Sequence, residues 1–228
     1  MSFRLKLPSM KLAIFDLDST LIKGDSDKLW GDYLVSLNKV DPIEYKRKND
    51  NFFAQYDKGE LDIHTYLQFA LQPLALYQKK DLDSWRDDFV QRIIKPLVYQ
   101  QGADLVKSYK VKGYSTMIIT ATNRFITEPI AKLFAIDHLM ATQVEQVDGQ
   151  YTGRYLGTPT FQQGKLTNLR DWLKQHPNHS LDRSTFFSDS HNDIPLMQVV
   201  AKAVAVHPDR TLEAEAKARN WPIIYFSS

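Results

Sequence analysis

The chain reads as an α/β protein, a doubly wound parallel sheet with a helical cap inserted after its first strand. Three features of the 228 residues carry that reading. Short apolar runs recur and each ends in polar residues. Amphipathic stretches of helical length separate them. One long interval, residues 22–98, holds helical patterns without a convincing strand. Strands alternating with helices specify a parallel sheet covered on both faces.

The first run, residues 12–15, is apolar throughout, as a strand buried on both faces requires. It leads into Asp16-Leu17-Asp18-Ser19-Thr20. Side chains two apart on extended backbone project to the same side, so Asp16 and Asp18 are delivered to one point. Two anions that close repel one another. The repulsion tends to raise one pKa, calls for a cation and suits an acid beside a nucleophile. Taken alone, an Asp after a buried strand equally caps the turn or helix that follows.

Within the interval, helices are expected over residues 27–37, 43–56, 63–76 and 83–94. Its aromatics, Trp30, Phe52, Phe53, Tyr66, Phe69 and Trp85, read as the cap's own core. The sheet then resumes. A helix over 102–112 precedes a second strand over 115–120, which follows Gly113 and ends at Thr120; a helix follows over 126–134. Asp148-Gly149 between 143–147 and 150–155 is a hairpin signal. A helix over 165–174 opens on Lys165, and a strand over 184–188 ends at Asp189. Helices over 194–200 and 211–218 flank a strand at 203–206, and residues 223–224 close the pattern. Doubly wound sheets bind ligands beyond the carboxyl ends of their strands, where Asp16, Thr120 and Asp189 would meet.

Composition narrows the partners. The net charge is +2 and the 25% of charged residues intermix both signs, which gives no field for nucleic acid. Lys46-Arg47-Lys48 follows Asp41 and Glu44 and reads as a solvated helix face of mixed charge. Cysteine is absent, so no disulfide or thiolate site holds the fold, which fits a reducing compartment. Residues 1–10 lack an apolar stretch of signal-peptide length, and nowhere do about 18 apolar residues run together. A cytoplasmic protein without a membrane partner is expected. Nothing in the pattern assigns an oligomeric state. Gly164-Lys165 lacks the upstream glycine spacing and the following hydroxyl of a nucleotide-binding P-loop. His176 and His179 flank Pro177-Asn178 and read as solvated loop residues.

Taken in order, Asp16-Leu17-Asp18-Ser19-Thr20, Thr120, Lys165 and Asp189-Ser190-His191-Asn192-Asp193 resemble the four motifs of haloacid dehalogenase superfamily phosphatases. The resemblance spans essentially the whole chain. It implies a Rossmann-like catalytic core over 1–21 and 99–228 and a helical cap over 22–98. It also implies that Asp16 attacks phosphorus to form an aspartyl phosphate, while Asp18 protonates the departing alcohol and then activates water. Mg²⁺ would be held by the Asp16 carboxylate, the Asp18 main-chain carbonyl and the Asp189 carboxylate. Thr120 would bond a phosphoryl oxygen and Lys165 would neutralise its charge. Asp193, with Asn192, would orient Lys165 and metal-bound water. The second carboxylate at Asp18 sets the chain apart from the superfamily's dehalogenases. Motif order sets it apart from phosphoryl-accepting receiver modules, whose accepting Asp follows a later strand.

The cap position and hairpin resemble the phosphoserine phosphatase-like branch. There a Glu nine residues beyond the first Asp contacts the substrate ammonium, and Asp25 occupies that place here. The branch's cap Arg, which binds the substrate carboxylate, has no counterpart around residues 64–73. A partner for an ammonium without a clamp for a carboxylate suits a phosphorylated amino alcohol. Gly24-Asp25-Ser26-Asp27 and Leu156-Gly157-Thr158-Pro159 resemble a subgroup described as histidinol-phosphatases. The implied substrate is a small phosphomonoester, histidinol phosphate, with phosphoserine as the alternative, and the implied setting is amino-acid biosynthesis. Asp25 and Asp27 equally read as caps of the first cap helix.

Overall fold

The structure, a computed structural model, describes residues 10–227. The reading of residues 1–10 as lacking a signal peptide therefore lies, Met10 apart, outside the described residues. β1 (Met10–Phe15) is the central strand and pairs in parallel with β2 (Ser115–Asn123) on one side and β5 (His179–Ser188) on the other. Beyond β2 lie β3 (His138–Val147), parallel, and β4 (Gln150–Leu156), antiparallel across the Asp148-Gly149 turn. Beyond β5 lie β6 (Lys202–Val206) and β7 (Ile223–Ile224), both parallel. The seven strands thus form one sheet in the order β4-β3-β2-β1-β5-β6-β7. The chain leaves β1 for a neighbour on one side and later fills the other, so the carboxyl end of β1 is a topological switch point.

Alternation along the central strands builds two cores. Ala13, Phe15, Ile118 and Phe187 face one hydrophobic cluster, whereas Leu12, Ile14, Met117, Ile119 and Phe186 face the other. Phe15 and Phe187 stack across β1 and β5 with ring centroids 4.8 Å apart. The first cluster is closed by Val106 of α5 (Gln100–Val111) and by Ile126 and Ile130 of α6 (Arg124–Leu133). The second is closed by Leu166 and Leu169 of α7 (Gln163–Gln175), Leu196 and Met197 of α8 (Ile194–Met197), and Leu212 and Ala216 of α9 (Arg210–Arg219). Helices therefore cover both faces, as the sequence predicts.

Between β1 and α5 the chain forms α1 (Ser26–Ser36), α2 (Pro42–Lys58), α3 (Ile63–Leu76) and α4 (Lys79–Phe89). Asp25, Asp41 and Asp62 cap the first three through main-chain N–H groups of their opening turns. A π-helical turn over Val90–Ile94 and a 3₁₀ turn over Lys95–Leu97 replace the end of the single helix expected over 83–94. Pro96 cannot extend an α-helix there. The chain leaves and rejoins the sheet at one place: Lys23 N–H donates to Leu97 O (2.8 Å), Tyr99 N–H donates to Leu21 O (3.0 Å), and Ile22 bridges Val98.

Two expectations are corrected here. The inserted helices do pack rings on one another, Trp30 on Phe89, Phe52 on Phe69 and Trp85 on Tyr77, but this core is continuous with the sheet's, because Trp30, Leu34, Leu67, Leu71 and Phe89 share one cluster with Ala13, Phe15 and Ile118. Trp30 packs edge-on against Phe125 of α6 at 5.6 Å. Phe52, Phe53 and Tyr66 are only half-buried and line a cavity. Helical periodicity marks an apolar face without saying whether protein or ligand covers it. His176 and His179 are likewise half-buried rather than solvated. They gather with His138 around Trp172, His176 stacks on Trp172 at 3.9 Å, and His179 opens β5. The β3–β4 hairpin meets α3, where His64 Nδ1 and the Tyr155 hydroxyl lie 2.7 Å apart. No helix among the described residues is long and apolar enough to cross a membrane.

Gly164 shows how tightly α7 is seated. A Cβ there would lie 2.0 Å from the Pro159 carbonyl oxygen, inside any tolerable contact. The glycine serves close packing of α7 against the Thr158-Pro159 segment and places Lys165 one residue further on. Gly164→Ala is expected to destabilise the fold by about 1–3 kcal/mol, as overpacking does, and to lower the denaturant midpoint correspondingly. An unchanged midpoint would contradict this packing role.

Candidate active site

Asp16 sits immediately beyond β1, and the turn that follows holds Ser19 at φ 54. This turn brings Asp18 and Thr20 back toward the sheet end. Asp16 is buried, and its Oδ1 accepts from Lys165 Nζ at 2.9 Å. The same ammonium donates to Asp193 Oδ2 at 2.8 Å. Lys165 is 4% exposed, and Asp193 is buried as well. Ser188 at the end of β5 donates its hydroxyl to Asp193 Oδ2 at 2.6 Å. Strand, helix and loop thus fix a buried acid–base–acid triad from three distant parts of the sequence.

The Asp18 carboxylate is directed elsewhere. Its Oδ1 accepts from Ser26 N–H (2.7 Å), and its Oδ2 accepts from the hydroxyls of Thr122 (2.9 Å) and Thr120 (3.4 Å). Thr120 Oγ1 in turn accepts from Thr122 N–H at 3.2 Å. Asp189 accepts from the Thr20 hydroxyl at 2.9 Å. Asn192 is buried, and its Oδ1 accepts from Gln162 Nε2 at 2.8 Å. Gln162 caps α7 from a left-handed backbone, φ 46, a conformation that concentrates at functional sites. His191 is held by Asp209, whose Oδ2 lies 2.8 Å from Nδ1, and its ring lies against Gly59 at the end of α2.

One cavity joins these groups. Asp16, Asp18, Thr120, Lys165, Asn192 and Asp193 line its sheet side, and Asp25, Asp27, Asn49, Phe52, Phe53, Tyr56 and Tyr66 line its cap side. Asp189 borders an adjoining cleft with Ser19, Asp25, Tyr56 and His191. All eight residues singled out in the sequence therefore lie around one chamber and its side cleft. Asp25 lines the chamber and also caps α1 by accepting from Lys28 N–H at 2.8 Å, so its two readings are both met. Thr122, Gln162 and Tyr56 were not foreseen. The alternate polar residues of Thr120-Ala121-Thr122 held a period-2 signal for the first; the other two lie on a loop and on a helix face without distinctive spacing.

Electrostatics set the chamber's demand. Burial raises the Asp16 carboxyl well above the usual range; Lys165 opposes the rise, and Asp193 and Asp18 add to it. Asp189 is likewise raised, by burial and then by the charge of Asp16. Burial pushes Asp18 up to about 6, with Asp25 adding and the Ser26 N–H opposing. Asp25 rises to about 6 and Asp27 to about 7, both chiefly through burial. Burial alone would lower the Lys165 ammonium, but Asp16 and Asp193 hold it above its ordinary value. The Asp193 Oδ1 atom is buried with no hydrogen-bond partner among the described residues. One buried cation thus pairs with two carboxylates while Asp18 and Asp189 stand near them, and this all-oxygen, anionic donor set fits a hard divalent cation. No group of three His, Cys, Asp or Glu side chains among the described residues is spaced to hold a metal alone. A cation held by Asp16 and Asp189 would need main-chain oxygen as well, while the Asp18 side chain accepts from Ser26 and Thr122.

These shifts fix a pH dependence. Carboxyls raised in the folded chain stay protonated where the unfolded chain has released its protons, so each stabilises the fold at low pH and loses that contribution as pH rises through about 6–7. His138, His179 and His207, lowered chiefly by burial, act oppositely but are only three half-buried rings. In chelator, the melting temperature is expected to rise on acidification from about pH 8 to about pH 5.5. A steady fall over that range would contradict the buried-acid account.

Comparison with known proteins agrees with the geometry. Residues 13–198 match the family described as haloacid dehalogenase-like hydrolase. A histidinol-phosphatase of Neisseria meningitidis is 43% identical over 218 residues, covering 94% of this chain and 98% of that protein. A solved protein of unknown function from Bordetella pertussis is 38% identical with a TM-score of 0.88, covering 95% of this chain and 98% of that one. A substrate-bound phosphoserine phosphatase, 17% identical, shares the fold with a TM-score of 0.71 over 94% of this chain and 92% of its own.

Proposed function

The chain belongs to the haloacid dehalogenase-like hydrolases, and on that premise we propose that it is a Mg²⁺-dependent phosphatase of small phosphomonoesters, with histidinol phosphate as substrate. The observation that carries the chemistry is the buried Asp16–Lys165–Asp193 triad with a second carboxylate, Asp18, facing the same chamber. An Asp16 oxygen attacks phosphorus, and the bond from phosphorus to the leaving oxygen breaks. Asp18 gives its proton to that oxygen; a carboxyl near 6 is partly protonated at neutral pH, as a general acid must be. Water then attacks phosphorus, Asp18 takes its proton, and Asp16 is released with phosphate. Lys165 counters the phosphoryl charge while keeping Asp16 ionised, and Asp193 holds Lys165 in place. Thr120 and Asn192 bond phosphoryl oxygens. Mg²⁺, bound by the Asp16 and Asp189 carboxylates and the Asp18 carbonyl, would supply further charge neutralisation and orientation.

In this reading residues 22–98 act as a cap over a core formed by the remainder, and the enzyme works in the cytoplasm. Substrate choice rests on the cap side of the chamber. Among the described residues, the cations lining it are Lys28 and Lys165. Lys165 belongs to the triad, and Lys28 is bound to Asp32 (2.9 Å) and Asp50 (3.3 Å). A carboxylate such as that of phosphoserine finds no free partner there, whereas an ammonium finds Asp25. The 43% identical relative bears the name of the same activity.

Asp16→Asn is expected to abolish turnover of histidinol phosphate while leaving circular dichroism unchanged. Asp18→Asn should lower kcat by about 10²–10⁴-fold, the usual contribution of a general acid. Activity should vanish in EDTA and return with Mg²⁺. Steady-state assays of the wild type should give a higher kcat/KM for histidinol phosphate than for phosphoserine, and the reverse order would overturn the substrate assignment.

A further inference from the structure

The cap side of the chamber holds a carboxylate that the reaction does not use. Asp27 is 7% exposed and makes no ion pair among the described residues. It accepts from Asn123 Nδ2 at 3.1 Å, and the Tyr66 hydroxyl donates to it as well. Asn123 is itself fixed, because its Oδ1 caps α6 through Ile126 N–H. Anchors from α3 and from the end of β2 therefore hold the Asp27 carboxylate from two sides, at the wall of the cavity.

Beyond these polar anchors and the neighbouring Asp18 and Asp25, the cavity wall carries aromatic rings. Phe52 meets Tyr66 edge-on at 5.4 Å and Phe69 at 5.2 Å, and Phe53 lines the same cavity one residue along. Asn49, 3% exposed, borders the cavity and is pinned by its Nδ2 to the Lys28 carbonyl at 3.0 Å. A carboxylate held by neutral donors at the wall of a cavity that Phe52, Phe53 and Tyr66 also line, with the Lys28 ammonium paired to Asp32 and Asp50 and 5.9 Å from the Phe53 ring centroid, matches a planar nitrogen ring that offers an N–H to the acid and a π-face to the phenyl groups. An extended aliphatic chain would offer Asp27 no N–H beyond those of the protein.

We propose that Asp27, with Phe52, Phe53 and Tyr66, forms a ring subsite that binds the imidazole of the substrate, distinct from the Asp25 contact to its ammonium. This rests on the histidinol phosphate reading and extends it. The ring N–H donates to Asp27, the ring lies against Phe52 and Phe53, and Asp27 is a specificity residue.

The test compares histidinol phosphate with 2-aminoethyl phosphate, which keeps the phosphate and ammonium and lacks the ring. Asp27→Asn is expected to lower the ratio of kcat/KM values for the two by about tenfold, mainly through KM for histidinol phosphate. The inhibition constant of histidinol should rise by a similar factor. Phe52→Leu, a half-buried position, should shift the ratio in the same direction and decides the matter if Asp27→Asn fails to fold. A ratio unchanged in the folded variants, with both substrates losing equally or neither losing, overturns the subsite. The wild-type preference between histidinol phosphate and phosphoserine reports separately on the underlying reading, so the two can fail independently.

Discussion

A lysine ammonium buried between Asp16 and Asp193 is the constraint around which the rest of the molecule is arranged. Removing three charges from water is costly, and breaking such a group by deleting one member costs about 3–5 kcal/mol. The fold meets this by fixing every member. Asp16 is set by a strand hydrogen-bonded on both sides, Asp193 by Ser188, and Lys165 by a helix seated through Gly164 on the Pro159 carbonyl. In the proposed function, a phosphoryl group and a cation complete this arrangement. Stability is given up at a site where function needs charge.

The inserted helices serve the same chamber from the other side. They contribute carboxylates and aromatic faces, and Lys28, their cation at the chamber among the described residues, is paired with Asp32 and Asp50, while Lys165 is held between Asp16 and Asp193. In the proposed function, phosphate and Mg²⁺ take the Lys165 end and a positively charged organic group takes the other. Because Trp30 packs on Phe125 and the hairpin meets α3, the helices and the sheet share hydrophobic surface on one side of the chamber. On the other side, Gly59 rests on the ring of His191.

Much of this was legible in the sequence, for physical reasons. Central strands buried on both faces leave unbroken apolar runs, and each run stops where polar side chains enter the chamber. Asp16, Thr120 and Asp189 were found that way, and the order of motifs added Lys165, Asn192 and Asp193. The segment 179–183 of β5 was not legible, because it is polar and pairs only at the sheet's lower edge. Phe52, Phe53 and Tyr66 were read as core because apolar spacing on a helix is the same whether a side chain or a ligand lies opposite. Gln162 escaped notice because its role depends on a left-handed backbone that no sequence pattern announces. The histidines around Trp172 were misread for the opposite reason: Pro177-Asn178 does mark a turn, but the turn folds its flanking rings inward.

The proposed reaction requires that Asp16 become covalently phosphorylated during turnover. Rapid acid quenching of the Mg²⁺-loaded enzyme with histidinol phosphate, followed by borohydride reduction and peptide mass spectrometry, detects this ester, because an acyl phosphate is reduced to the corresponding alcohol. Conversion of residue 16 to homoserine is expected only when substrate is present. Turnover with residue 16 unmodified and phosphate recovered on another side chain would contradict it.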